Sequence, residues 1–133
     1  MNEKIMDAVL ARNDEKGFAT ILIIEDDEGL NHLISKKLNQ SGFKTISVFC
    51  GKDAYYKTNG NDLCLLIDYQ LPDMMANELL DRFDNEGREI NFLVMTGHGD
   101  EKLAVDFMKR GAIDYVVKDA NFIDMVPQKI KNA

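Results

Sequence analysis

Apolar residues along this chain come in short blocks, and their rhythm switches between unbroken runs and helical spacing. ATILII (19–24) is apolar almost throughout, the pattern of a strand buried on both faces. Leu30, Leu33, Ile34 and Leu38 then recur on one helical face, and Ser41-Gly42 stops that helix. FKTISVF (43–49) predicts a second strand, and KDAYYK a short helix closed by the turn residues NGND. DLCLLI (62–67) is a further buried strand that runs into DYQLPDM. A helix over NELLDRF follows and ends near Gly87. INFLVM (90–95) predicts the fourth strand and leads into TGHGD. In DEKLAVDFMKRG, Leu103, Ala104, Phe107 and Met108 share a face, and Gly111 stands where a glycine after the last helical turn belongs. AIDYVV (112–117) gives the fifth strand, followed directly by Lys118.

The ends of the chain carry weaker patterns. Ile5, Met6, Val9 and Leu10 predict a short helix in an N-terminal extension over 1–17, so the folded domain is expected over 18–133. At the other end, NFIDMVPQKIKNA contains Pro127, which a helix tolerates only in its first turn. Asp124 is therefore the expected N-cap, with the last helix starting near Met125. That helix is short, which predicts a chain that continues in a longer parent protein.

Five strands alternating with five helices predict an α/β fold: a parallel sheet doubly wound by helices on both faces, flavodoxin-like, in the order 2-1-3-4-5. Such sheets bind ligands outside the carboxyl ends of their strands. In that order the second strand is an edge, and the other four stand side by side.

Composition narrows the function classes. With 133 residues the chain suits one domain. A net charge of −7 makes it a poor binder of polyanions, which argues against direct nucleic-acid or anionic-membrane contact. The apolar runs are too short to span a bilayer. The segment MNEKIMDAVLARNDEKG is too charged for a signal peptide. Cys50 and Cys64 lie apart, without metal or redox spacing, and read as free thiols in a reducing cytoplasm.

The chemistry stands at the strand ends. The first strand delivers Glu25 and Asp26, the third Asp68, the fourth Thr96 and the fifth Lys118. At ~5 Å and an effective dielectric of ~20, each pair of like charges costs roughly 3 kcal/mol, so a cation is expected. Three carboxylates suit Mg2+, which takes oxygen ligands and keeps waters. Asp68 is a candidate nucleophile toward phosphorus, and Lys118 and the Thr96 hydroxyl are candidate partners for phosphoryl oxygens. Asp27 and Glu28 fit the capped, acidic start of a helix. His32 is placed on the outer side of its helix, and His98 is a weak candidate for tuning phosphate lifetime. Met74, Met75 and Met95 read as fillers of gaps or as docking surface.

Taken together, Glu25-Asp26, Asp68 with Leu71-Pro72 three residues on, Thr96-Gly97, and Tyr115 with Lys118 resemble the receiver domain of two-component response regulators. The resemblance implies that Asp68 takes a phosphoryl group from a histidine kinase or a histidine phosphotransfer protein. It also implies Mg2+ held directly by Asp26 and Asp68, through water by Glu25, and by the backbone carbonyl of Gln70. Thr96 and Lys118 would hold the phosphoryl oxygens, and Tyr115 would turn inward with Thr96 as the switch. Such a domain catalyses only its own phosphorylation and dephosphorylation. It signals in the cytoplasm to an output domain or partner protein, with a homodimer as one of its assemblies.

Two positions depart from the family pattern. Asp119 stands where many receivers carry a proline, so the bond after Lys118 is either trans in an altered loop or a costly non-proline cis bond. Ala76 stands where many carry glycine, and Asn77 where an apolar residue is common, which predicts a changed turn before the third helix. Two other readings compete. A Mg2+-dependent aspartyl phosphohydrolase would need a second aspartate where Gln70 stands. A receiver-like docking module would need no phosphorylation.

Overall fold

The computed structural model describes residues 20–132. The expected helix around Ile5–Leu10 lies outside them. Ten elements alternate without exception: β1 (Thr20–Ile24), α1 (Glu28–Gln40), β2 (Lys44–Val48), α2 (Gly51–Lys57), β3 (Cys64–Asp68), α3 (Ala76–Asn85), β4 (Asn91–Thr96), α4 (Glu101–Arg110), β5 (Asp114–Val117) and α5 (Phe122–Lys131). All pairings between these strands are parallel, in the order β2-β1-β3-β4-β5, as the sequence predicts.

Alternation along the central strands sends side chains into two cores, one on each face of the sheet. Leu22, Ile24, Leu65, Ile67 and Val94 pack with Leu79, Phe83 and Phe107 on one face, under α2, α3 and α4. Ile21, Ile23, Cys64, Leu66 and Leu93 meet Ile34, Leu38, Phe122, Val126 and Ile130 of α1 and α5 on the other. Phe83 is fully enclosed, so truncation to alanine costs about 3–5 kcal/mol. Cys50 and Cys64 are both free thiols, and burial pushes the Cys64 thiol up to about 12.

Several expectations need correction. Leu33 is 53% exposed and Met108 40% exposed, although each was placed on a core face. On α1 the buried stripe is Asn31, Ile34 and Leu38, so a polar residue occupies one of its positions and Leu33 falls on the flank. On α4, Ala104 and Phe107 fill the buried positions and Met108 lies one step beyond them. The third strand starts two residues later than expected and ends one residue later, so that it includes Asp68 itself. Helix α5 starts at Phe122, with Asn121 as N-cap, rather than near Met125. Burial of Phe122 in line with Val126 and Ile130 draws the start back one turn. Pro127 therefore sits inside the helix, where its missing N–H leaves the Ile123 carbonyl without its helical donor.

The two departures from the family pattern are resolved without strain. No cis peptide bond occurs among the described residues, so Lys118–Asp119 is trans. Asp119 donates its N–H to the Val117 carbonyl (2.8 Å), and its carboxylate accepts from Asn121 N–H (3.0 Å), which closes the loop locally. Ala76 is the first residue of α3 and needs no positive φ. Its N–H bonds the Tyr69 carbonyl at 2.9 Å, and Leu71 N–H bonds the Met74 carbonyl at 3.1 Å. The Glu78 carboxylate accepts from Met75 N–H (2.7 Å), closing the start of the helix.

Candidate functional site

Register brings the charged residues together. Ile24 pairs with Ile67, so the next residues along, Glu25 and Asp68, end up beside each other at the carboxyl rim. Thr96 pairs with Val117, so Lys118 leaves the sheet next to β4, with its N–H on the Thr96 carbonyl at 2.8 Å. The Lys118 ammonium then reaches across the rim, 2.6 Å from Glu25 Oε1 and 2.9 Å from Asp68 Oδ1. Glu25, Asp26 and Asp68 each offer a carboxylate oxygen, and these lie within 4.8 Å of one another. They open onto a cavity of about 500 Å³ that Gln70, Gly97 and Asp100 also line.

Burial sets the electrostatics. Glu25 is 2% exposed and Asp68 is buried, whereas Asp26 faces solvent. Loss of water raises the carboxyl pKa of both Glu25 and Asp68, against the lowering effect of Lys118. Burial also pushes the Lys118 ammonium down, but its bonds to Glu25 and Asp68 outweigh this and the net direction is up. One lysine charge thus contacts two of the three clustered carboxylates. The second Glu25 oxygen, Oε2, accepts from Asp27 N–H at 3.1 Å. Asp27 in turn caps α1 by accepting from Leu30 N–H (3.0 Å), and Glu28 lies in the first turn, as their sequence positions suggest.

Thr96 is fully buried, and its hydroxyl has no hydrogen-bond partner. It does not line the cavity; the neighbouring Gly97 does. Tyr115 is half-buried and pairs with Val94 in the sheet, with Lys129 Nζ 5.5 Å from its ring centre. It too lies off the cavity wall. Gln70 is exposed on that wall and forms an isolated antiparallel bridge with Met75. His98 is exposed and off the wall, while His32, exposed on α1, borders a separate hollow with Phe49 and Ser47.

Three residues of the region escaped the sequence reading. Asp100 adds a fifth carboxylate to a wall that already holds Glu25, Asp26, Asp27 and Asp68, and a Cβ on Gly97 would lie 3.1 Å from its Oδ2. In sequence Asp100 looks like an ordinary N-cap, yet its side chain makes no capping bond. Asp73 accepts from Gly51 N–H (2.8 Å) and Lys52 N–H (2.9 Å), tying the loop after Asp68 to α2. Asn31 is buried beneath Glu25 and was hidden among the apolar positions of α1.

Comparison with known proteins agrees with this fold. The family profile for the response regulator receiver domain matches residues 21–128. The chain is 31% identical over 118 residues to the transcriptional regulatory protein FixJ of Bradyrhizobium diazoefficiens, covering 85% of this chain and 57% of that one. Full-length FixJ from B. japonicum superposes with a TM-score of 0.75 at 28% identity, over 88% of this chain and 58% of that one. A receiver domain from a Francisella response regulator gives a TM-score of 0.77 at 22% identity, over 86% and 94% of the two chains, a likeness of fold. The chain spans about half the length of the FixJ proteins it matches, 57% and 49% of two of them.

Proposed function

Because the chain belongs to the response regulator receiver family, we propose that it is a phosphoacceptor switch whose accepting residue is Asp68. The observation that carries this is the convergence of Glu25, Asp26 and Asp68 within 4.8 Å, with Lys118 2.9 Å from Asp68 beside an open cavity. A carboxylate oxygen of Asp68 attacks phosphorus in the phosphohistidine of a histidine kinase or phosphotransfer protein. The P–N bond breaks, the imidazole leaves with its electron pair and takes up a proton, and an aspartyl phosphate remains. Water later attacks it and returns the carboxylate and inorganic phosphate.

The residues present fit Mg2+: two buried carboxylates, one exposed carboxylate and a single lysine leave a deficit of positive charge among oxygen donors. Asp26, Asp68 and the Gln70 carbonyl would hold the ion directly and Glu25 through water. When bound, the ion offsets the negative charge that gathers as the phosphoryl group arrives. Lys118 orients Asp68 and then pairs with a phosphoryl oxygen. The Thr96 hydroxyl, buried without a partner, has a free donor for the same group once its side chain turns to the cavity. Tyr115, half-buried on the next strand, would follow Thr96 inward and so change the outer surface.

Output then passes to a further domain or partner protein, in the cytoplasm, with homodimerisation as one route. Among the described residues no helix is long and apolar enough to cross a membrane. The test is intact mass after incubation with acetyl phosphate. One phosphoryl adduct is expected, dependent on Mg2+ and absent in Asp68→Asn. An adduct that persists in Asp68→Asn would place the acceptor elsewhere.

A further inference from the structure

We infer that Asn31 is a positioning residue for the Glu25–Asp26 pair, acting through the backbone of β1; this rests on the phosphoacceptor reading above. Asn31 is 1% exposed on α1, and its Nδ2 donates to two carbonyls, Glu25 O at 3.0 Å and Val48 O at 3.1 Å. Glu25 N–H itself donates to Val48 O at 3.2 Å. The amide therefore continues the β1–β2 ladder one step past its last pair, Ile24 with Val48, where the chain must turn away from the sheet. Glu25 is held at both its N–H and its C=O, and the direction of its side chain toward Lys118 is set by that grip.

The amide's orientation follows from chemistry. Two carbonyl oxygens within hydrogen-bond distance demand a donor, so the NH2 group faces them and Oδ1 faces away. Oδ1 is buried and has no partner. A leucine of similar size would avoid that unsatisfied acceptor and would pack with Ile34 and Leu38 on the same stripe. What the amide provides that leucine cannot is the pair of donor bonds at the start of the loop carrying Glu25 and Asp26. A second link closes the loop from the helix side, with Asn31 N–H on the Asp27 carbonyl at 2.8 Å. The loop is thus held at both ends by one residue that touches neither the cation nor the phosphoryl group.

Groups that hydrogen-bond a metal ligand and fix its orientation typically change metal affinity by about 10–100-fold when removed. The test is calorimetric titration of Mg2+ into the whole chain, comparing wild type with Asn31→Leu and with Ile34→Val, which loosens the same helix without touching the amide. Amide hydrogen exchange in the metal-free proteins is read alongside. The expected result is Mg2+ binding weakened about tenfold or more in Asn31→Leu and unchanged in Ile34→Val. Exchange at Glu25 and Asp27 should quicken relative to the amides of β3. Should Asn31→Leu fail to fold, Asn31→Ala takes its place with the same readings. Equal Mg2+ affinity in wild type and the Asn31 variant overturns the inference. If wild type shows no Mg2+ binding, the phosphoacceptor reading fails, and exchange alone decides the positioning role: unchanged rates at Glu25 and Asp27 overturn it.

Discussion

Among the described residues, two places set two carboxylates around one cation. On the outside, Arg110 at the end of α4 reaches Asp81 (2.5 Å) and Asp84 (3.0 Å) of α3, with those carboxylates 58% and 68% exposed. At the rim, Lys118 reaches Glu25 (2.6 Å) and Asp68 (2.9 Å), with side chains 2% and 13% exposed. The surface pair comes from neighbouring turns of one helix, and water screens its excess charge. The rim pair comes from two strands whose register forces them together, with Asp26 added and little water to help. The same arrangement is cheap in one place and costly in the other. The costly one stands where the sheet opens onto a cavity, and it is there that the proposed Mg2+ would supply a further positive charge.

Removing each cation is the strongest way to break this comparison. Lys118→Met leaves Glu25 buried and unpaired, and should destabilise the fold by roughly 3 kcal/mol in urea denaturation at neutral pH. Arg110→Ala should cost under about 1 kcal/mol. Equal costs would mean that burial does not distinguish the two clusters. Mg2+ supplies the next largest effect. At ten times its dissociation constant it should stabilise the wild type by about 1.4 kcal/mol, or roughly 5 °C in melting temperature. Asp26→Asn should lose most of that shift and Asp81→Asn should keep it.

Acidity sharpens the comparison further. Carboxyls whose folded pKa is raised bind protons more readily in the native state than in the unfolded state. The metal-free protein should therefore gain stability as pH falls from neutral through the raised folded values toward ordinary carboxyl values. Glu25→Gln combined with Asp68→Asn should remove that gain, which urea midpoints at several pH values would show. Asp73 and Glu86, held below the usual carboxylate range, act the other way and only at lower pH. The smallest effect concerns burial with no cation nearby. Cys64, enclosed and pushed up to about 12, should resist a thiol reagent in the native protein while half-buried Cys50 reacts, and both should react in urea.

Most of the fold was legible because a doubly wound sheet writes its pattern in short unbroken apolar runs. ATILII, LCLLI and FLVM could scarcely be anything but buried parallel strands. The rim was legible for the same reason, since Glu25, Asp68, Thr96 and Lys118 each follow or end such a run. What stayed hidden depended on side chains that act against type. Asn31 is polar but buried, because two backbone carbonyls need its donors. Asp100 and Asp73 look like ordinary turn acids, and only the folded backbone shows that one faces the cavity and the other grips α2. Pro127 misplaced the start of α5, because packing of Phe122 outweighs one lost hydrogen bond.

The Asp73 grip also has a mechanical side. A Cβ on Gly51 would lie 2.5 Å from Met74 Sδ, so the first turn of α2 and the loop leaving Asp68 run with no clearance between them. The two Asp73 bonds pull the parts together while the Met74 side chain holds them apart. Such a joint transmits both push and pull. A retreat of the loop would lengthen the two carboxylate bonds, and an advance would press on the Met74 side chain. The first turn of α2 is therefore the first part of the molecule that a shift of the loop leaving Asp68 would meet, through hydrogen bonds on one side and packing on the other.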